Sequence, residues 1–146
     1  MVPKITMTHT PDASVKEFLL DQIREYAWRR IGNSSNHRLL AILLSDPETE
    51  EILGGVWSET YCSFLLHINL LFIPESMRGA GLGRQLIAQA KEEAAVRCSC
   101  HGVWLDALSW QARGFYEKLG YSLFANIDDY PMGHQGFFLK KAIRGS

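Results

Sequence analysis

Apolar positions change their period several times along the chain, and each change marks an element. Residues 1–11 carry Pro3 and Pro11 and read as an extended lead-in. Asp12 or Ser14 can cap a following helix. Its Val15, Phe18, Leu19, Ile23, Tyr26 and Ala27 recur mostly at three- and four-residue steps until Gly32-Asn33 ends it. Arg38 to Leu44 reads as a short strand, Asp46-Pro47-Glu48-Thr49 as a turn, and Ile52 to Thr60 as the returning strand of a hairpin. Gly54-Gly55 inside that strand predicts a bulge or a close backbone approach. Phe64 to Ile73 is almost continuously apolar, which predicts a central strand buried on both faces. Leu82, Leu86, Ile87, Ala90 and Ala94 return to the helical period. Then come a strand (Gly102 to Leu108), a short helix (Trp110 to Leu119) stopped by Gly120, a strand (Tyr121 to Ile127), a polar turn region (Asp128 to Gly136) and a last strand (Phe137 to Ile143). The order is helix, β-hairpin, β, α, β, α, β, β. It predicts an α/β (α+β) fold with a mixed sheet in one domain over residues 1–146.

Composition agrees with that picture. The chain has 146 residues, is 47% hydrophobic and 21% charged, and carries a net charge of −1. That is enough chain for one solid core, and the charge gives no general grip on nucleic acid or an anionic membrane. Cys62, Cys98 and Cys100 are too few for a disulfide framework and badly spaced for a metal knuckle. We expect reduced thiols, no metal, no secretory leader and a cytoplasmic protein.

The candidate chemistry lies between the central strand and the second long helix, in Arg78-Gly79-Ala80-Gly81-Leu82-Gly83. A helix start carries unpaired N–H groups and a partial positive charge, and glycines let several N–H groups converge on one phosphate. Arg78 adds a permanent cation with planar donors. A Walker loop is excluded, because no Gly-Lys-Ser/Thr ends the segment. A plain tight turn without ligand stays open. So does a dinucleotide-binding turn, since Asp106 follows at the next strand, although a hairpin precedes the loop here.

Arg-x-x-Gly-x-Gly after a strand resembles the acyl-CoA pyrophosphate signature of the GNAT family of N-acetyltransferases. A second segment, Ala112-x-x-Phe115-Tyr116-x-x-x-Gly120-Tyr121, is similar to that family's later helix-and-strand motif, in the expected order and separation. The resemblance covers nearly the whole chain. Glu75, after Pro74, and Ser109 depart from the family pattern, which often has proline and asparagine there. Asp128-Asp129-Tyr130-Pro131-Met132-Gly133-His134 resembles a subgroup of small bacterial members.

The resemblance implies direct transfer of the acetyl group of acetyl-CoA to a primary amine of a small molecule or peptide. A homodimer is common in the fold. Residues 78–83 would hold the pyrophosphate: Arg78, Gly79, Ala80, Gly81, Leu82 and Gly83. The backbone of Leu71, Phe72 and Ile73 would pair with the pantetheine arm, and the Ser109 hydroxyl could bond it. Tyr116 would be the general acid to the leaving thiolate. The base that takes the ammonium proton is open among Glu59, His67, Asp106, Asp129 and His134, with Glu59 and His134 as the chosen candidates; a water chain is an alternative. Trp57 and Trp110 are candidates for walling a cationic acceptor. Two rival readings stand beside this one: transfer of a longer acyl group, and a CoA-binding module without turnover.

Overall fold

The computed structural model describes residues 1–32, 37–61, 65–109 and 113–143. The chain divides into two compact units, Met1–Ser35 and Asn36–Ser146. The first is an extended lead-in followed by helix α1 (Ala13–Ile31). Asp12 caps it by accepting the Ser14 N–H at 2.9 Å, and Gly32 closes it in the left-handed region (φ 68°). The Arg29-Arg30 pair is used within the helix. Arg29 bonds Glu25 at 2.7 Å, and the Arg30 guanidinium lies 5.1 Å from the Tyr26 ring centre.

The second unit holds six strands: β1 (Arg38–Ser45), β2 (Ile52–Tyr61), β3 (Leu65–Phe72), β4 (Gly102–Leu108), β5 (Ser122–Asp128) and β6 (Gln135–Ala142). They form one sheet in the order β1-β2-β3-β4-β6-β5. Every pairing is antiparallel except β3 with β4. Helix α2 (Leu82–Cys98) makes the crossover between those two parallel strands, and the short α3 (Arg113–Lys118) follows β4. The expected helix from Trp110 is described only from Arg113 on; residues 110–112 lie outside the described residues.

Strand alternation decides where the core sits. Val56, Leu66, Ile68, Val103, Leu105 and Leu139 point to one face and meet Leu86, Ile87, Ala90 and Ala94 of α2. The buried polar residues Ser58 and Thr60 join this layer, and Ser58 Oγ donates to the Leu40 carbonyl at 2.9 Å. The expectation that β3 is buried on both faces is not met. Leu66 and Ile68 are buried, but Leu70 and Phe72 are 67% and 57% exposed. A continuous apolar run does not distinguish two-sided burial from one buried face and one apolar open face.

The glycine pair in β2 allows close backbone approach. A Cβ on Gly54 would lie 2.5 Å from the Phe72 carbonyl oxygen, and one on Gly55 would lie 2.5 Å from that of Ile42. The register of β1 against β2 shifts just beyond, between Leu44 and Ser45.

Candidate active site

The parallel pairing of β3 and β4 is short. It runs from Leu65↔Gly102 to Ile68↔Leu105 and ends there, while β3 stays paired to β2 as far as Phe72 and β4 to β6 as far as Leu108. The two central strands therefore part company at Asn69 and Asp106. Their facing backbone edges are left to other partners at the carboxyl ends of the pair, and buried or half-buried peptide groups need such partners. Leu71, Phe72 and Ile73 lie on that free stretch. The Ile73 carbonyl is already used, since Arg78 Nε donates to it at 2.9 Å and ties the strand end to the glycine loop.

The loop opens at the same end. A 3₁₀ turn over Glu75–Met77 stands where the sequence departs from the expected proline, and Arg78 follows in extended conformation. Gly79 and Gly81 sit at φ 84° and 81°, in the left-handed region that favours glycine. A Cβ on either would meet nothing, so the space above the loop is open. Gly83 is constrained for another reason: its Cβ would lie 3.2 Å from Phe115 Cζ, so the helix start is packed against α3. No side chain caps α2 and no acidic residue stands in its first turn. The N–H groups at this terminus thus face an open cradle with positive local potential, which fits a pyrophosphate.

Tyr116 comes to this end from α3. It is 9% exposed, makes edge contacts with Phe115 and Tyr121 at ring separations of 5.0 and 6.0 Å, and packs into the core layer. Burial, with a smaller contribution from the Asp106 carboxylate, pushes its phenol up to about 12. Both effects disfavour the phenolate, so the hydroxyl keeps its proton at neutral pH. Phe115 is partly buried against the core, as expected.

The polar candidates form a chain across the sheet face opposite α2. His37 Nε2 lies 2.6 Å from Glu59 Oε2. Asn69 Nδ2 donates to Glu59 Oε1 at 3.1 Å and lies 3.3 Å from His67 Nδ1. His67 Nε2 lies 3.3 Å from Asp106 Oδ1, and its ring stacks on Trp104 with centroids 3.8 Å apart. Glu59, His67 and Asp106 are thereby joined in one network. Asp106, one of the candidate bases, is the carboxylate beside His67.

Ser109 and His134 meet at the end of β4. The Gln135 N–H donates to Ser109 Oγ at 3.3 Å, and the same oxygen is hydrogen-bonded to His134 Nδ1 at 3.0 Å. Asp129 Oδ1 accepts the Gly133 N–H at 3.4 Å. Trp57 is exposed on the face that carries Glu59, and Trp110 lies outside the described residues. Sequence reasoning passed over His37, Asn69 and Trp104. Asn69 was visible only as a polar interruption of an apolar strand.

Comparison with known proteins gives this architecture its class. The profile of the acetyltransferase (GNAT) domain matches residues 6–127. Blasticidin-S acetyltransferase of Streptomyces morookaense is 38% identical over 96 residues, 66% of this chain and 70% of that protein. An acetyltransferase of Agrobacterium fabrum is 29% identical over 135 residues, 92% of this chain and 96% of its own. Among solved structures, an acetyltransferase from Bacillus cereus superposes with a TM-score of 0.77 at 26% identity, covering 94% of this chain and 98% of that one. The chain belongs to the GNAT family of acetyltransferases and is an enzyme of that acetyl-CoA-dependent class. These bacterial acetyltransferases also bear out the expected resemblance to small bacterial members of the family.

Proposed function

We propose that this protein moves the acetyl group of acetyl-CoA to a primary amine on a small cationic molecule, by direct attack while both are bound. One observation carries the reading. The β3–β4 pairing ends at Ile68 and Leu105, and the glycine loop, the uncapped start of α2 and the buried Tyr116 all serve that fork. Residues 78–83 hold the pyrophosphate by backbone N–H groups and the Arg78 charge. The free backbone of Leu71 and Phe72 pairs with the pantetheine arm, and the same N–H groups polarise the thioester oxygen. Ser109 is already bonded to His134 and to the Gln135 N–H, so we assign it the weaker part. A domain of 1–146 acting as one catalytic body is supported by the profile match, which runs through both units.

The proton accounting fits the geometry. Glu59 takes a proton from the bound ammonium, which frees the nitrogen lone pair. Nitrogen attacks the thioester carbon, the carbon–sulfur bond breaks, and the sulfur collects the Tyr116 proton; the second proton that nitrogen sheds as the amide forms returns the Tyr116 phenolate to the phenol. His134, beside Ser109, is the second candidate base, serving an acceptor that enters from the late loop. The acceptor class rests on the relative that acetylates blasticidin S and on the carboxylates of Glu59 and Asp106 on the acceptor face. The cytoplasm, where acetyl-CoA is made, is the expected location, and a homodimer is the expected assembly.

The test is thiol release from acetyl-CoA over a panel containing blasticidin S, aminoglycosides, polyamines, amino acids and short peptides. Release with a small amine and none with peptides is expected. If no amine releases CoA while acetyl-CoA still raises the melting temperature, the protein is a CoA-binding module. Faster release from propionyl- or succinyl-CoA would replace acetyl by a longer acyl group.

A further inference from the structure

Strand β3 carries one residue too many. Ser58 of β2 pairs with Ile68 and Trp57 with Leu70, so Asn69 has no partner across the ladder. A bulge of this kind takes a side chain out of strict alternation and re-aims it, and such bulges recur beside active sites. Here the bulge falls one residue past the last β3–β4 pair, at the fork itself.

The Asn69 amide is oriented by its neighbours. Nδ2 donates to Glu59 Oε1 at 3.1 Å, and the reverse orientation would set a carbonyl oxygen against a carboxylate oxygen. The other amide atom, Oδ1, is buried and has no hydrogen-bond partner among the described residues. A buried acceptor left unpaired is costly, and an enzyme that keeps one at its fork keeps it for a donor that arrives from outside.

The charges say which donor. Glu59 is the adjacent group, held through its second oxygen by His37. Asp106 stands on the opposite branch and bonds His67, whose other ring nitrogen faces the Asn69 amide. The geometry points to Asn69 Oδ1 and Glu59 as the seat of the acceptor's ammonium group, so that Asn69 selects a cationic amine over a neutral one. This rests on the acetyltransferase reading and adds the acceptor contact to it. One ammonium N–H is donated to Oδ1 and another to Glu59. When Glu59 takes its proton, the amine still donates to Oδ1, which holds the nitrogen while its lone pair attacks. His67, stacked on Trp104, is a positioning residue for the amide.

The experiment uses blasticidin S and spermidine as probes, with thiol release for kinetics and calorimetric titration of each probe into the complex with CoA. Asn69→Leu is expected to raise the probe KM about tenfold or more, with the acetyl-CoA KM and the melting temperature little changed. Asn69→Asp keeps an acceptor oxygen and should hold the probe KM near wild type. Its kcat/KM profile should move to higher pH, because two adjacent carboxylates retain a proton more tightly. Asn69→Ser replaces the leucine variant if that one fails to fold. Turnover by Asn69→Leu with an unchanged probe KM removes the seat and leaves the acetyltransferase reading intact. Probe binding by wild type without CoA release, lost in Asn69→Leu, keeps the seat and removes the transfer reading. Probes that neither bind nor react remove both.

Discussion

Tyr116 packs into the core, and that role can be separated from its proposed role as proton donor by what a variant loses. A general acid contributes about 10²–10⁴-fold to a proton-transfer step, so Tyr116→Phe should lower kcat by roughly that factor. The ring still fills the space beside Phe115 and Tyr121, so acetyl-CoA affinity by calorimetry should stay close to wild type. Unchanged kcat would take Tyr116 out of the mechanism. The raised phenols also set an alkaline limit on stability. Folding holds Tyr116 protonated up to about 12, and Tyr121 is raised as well, by burial first and Tyr116 second. The unfolded phenols ionise near 10, so above that pH the native state binds more protons than the unfolded one and stability falls as pH rises. Each such group contributes a slope of up to about 1.4 kcal/mol per pH unit in that window and nothing below it. Thermal melts between pH 8 and 11 should therefore be flat at first and then fall. The fall should be shallower in Tyr121→Phe, and an equal fall there would refute the assignment.

At the scale of elements, β2 is held by what its glycines lack. Gly54 lets the Phe72 carbonyl come within 2.5 Å of where a Cβ would stand, so Gly54→Ala must push β2 and β3 apart at the edge of the fork. The expected cost is about 1–3 kcal/mol, the range for forcing atoms into a packed site, read as a lower urea midpoint. A neutral result would mean that the strands can yield there. This pair was legible in the sequence because two adjacent glycines in a strand have few other uses. The element order, the Asp12 and Gly32 caps and the glycine loop were legible for similar reasons, since each is a local pattern with a local cause. The Asn69 bulge was not. A one-residue register slip between β2 and β3 depends on pairing between residues distant in the chain, and nothing in an apolar run announces it. The His37–Glu59–Asn69–His67–Asp106 network was hidden in the same way, because its members come from four segments that only the sheet brings together. The free face of β3 was misread because periodicity reports which positions are apolar, not which of them are covered.

At the scale of the whole molecule, the sheet separates the proposed donor site from the proposed acceptor site. The glycine loop and the start of α2 lie beyond the carboxyl end of β3, while the polar chain spreads over the face opposite α2. The fork between β3 and β4 is where the two proposed sides can meet, because pairing between those strands stops at Ile68 and Leu105 while each strand runs on beside its other neighbour. That arrangement predicts that donor binding can be lost without disturbing the acceptor face. Arg78 serves both the loop charge and the clamp on Ile73. Arg78→Gln keeps a polar side chain but removes the cation, so acetyl-CoA should bind more weakly by about tenfold, the scale of a lost charge-assisted contact. A ligand at one hundred times its Kd stabilises the native state by about 2.7 kcal/mol. A tenfold weaker variant at the same concentration keeps about half of that. The melting-temperature rise on adding acetyl-CoA should thus be roughly halved in Arg78→Gln, fully retained in Tyr116→Phe, and fully retained in Asn69→Leu. A loss in all three variants would mean that the two faces are energetically coupled, and that the fork closes as one unit around the donor.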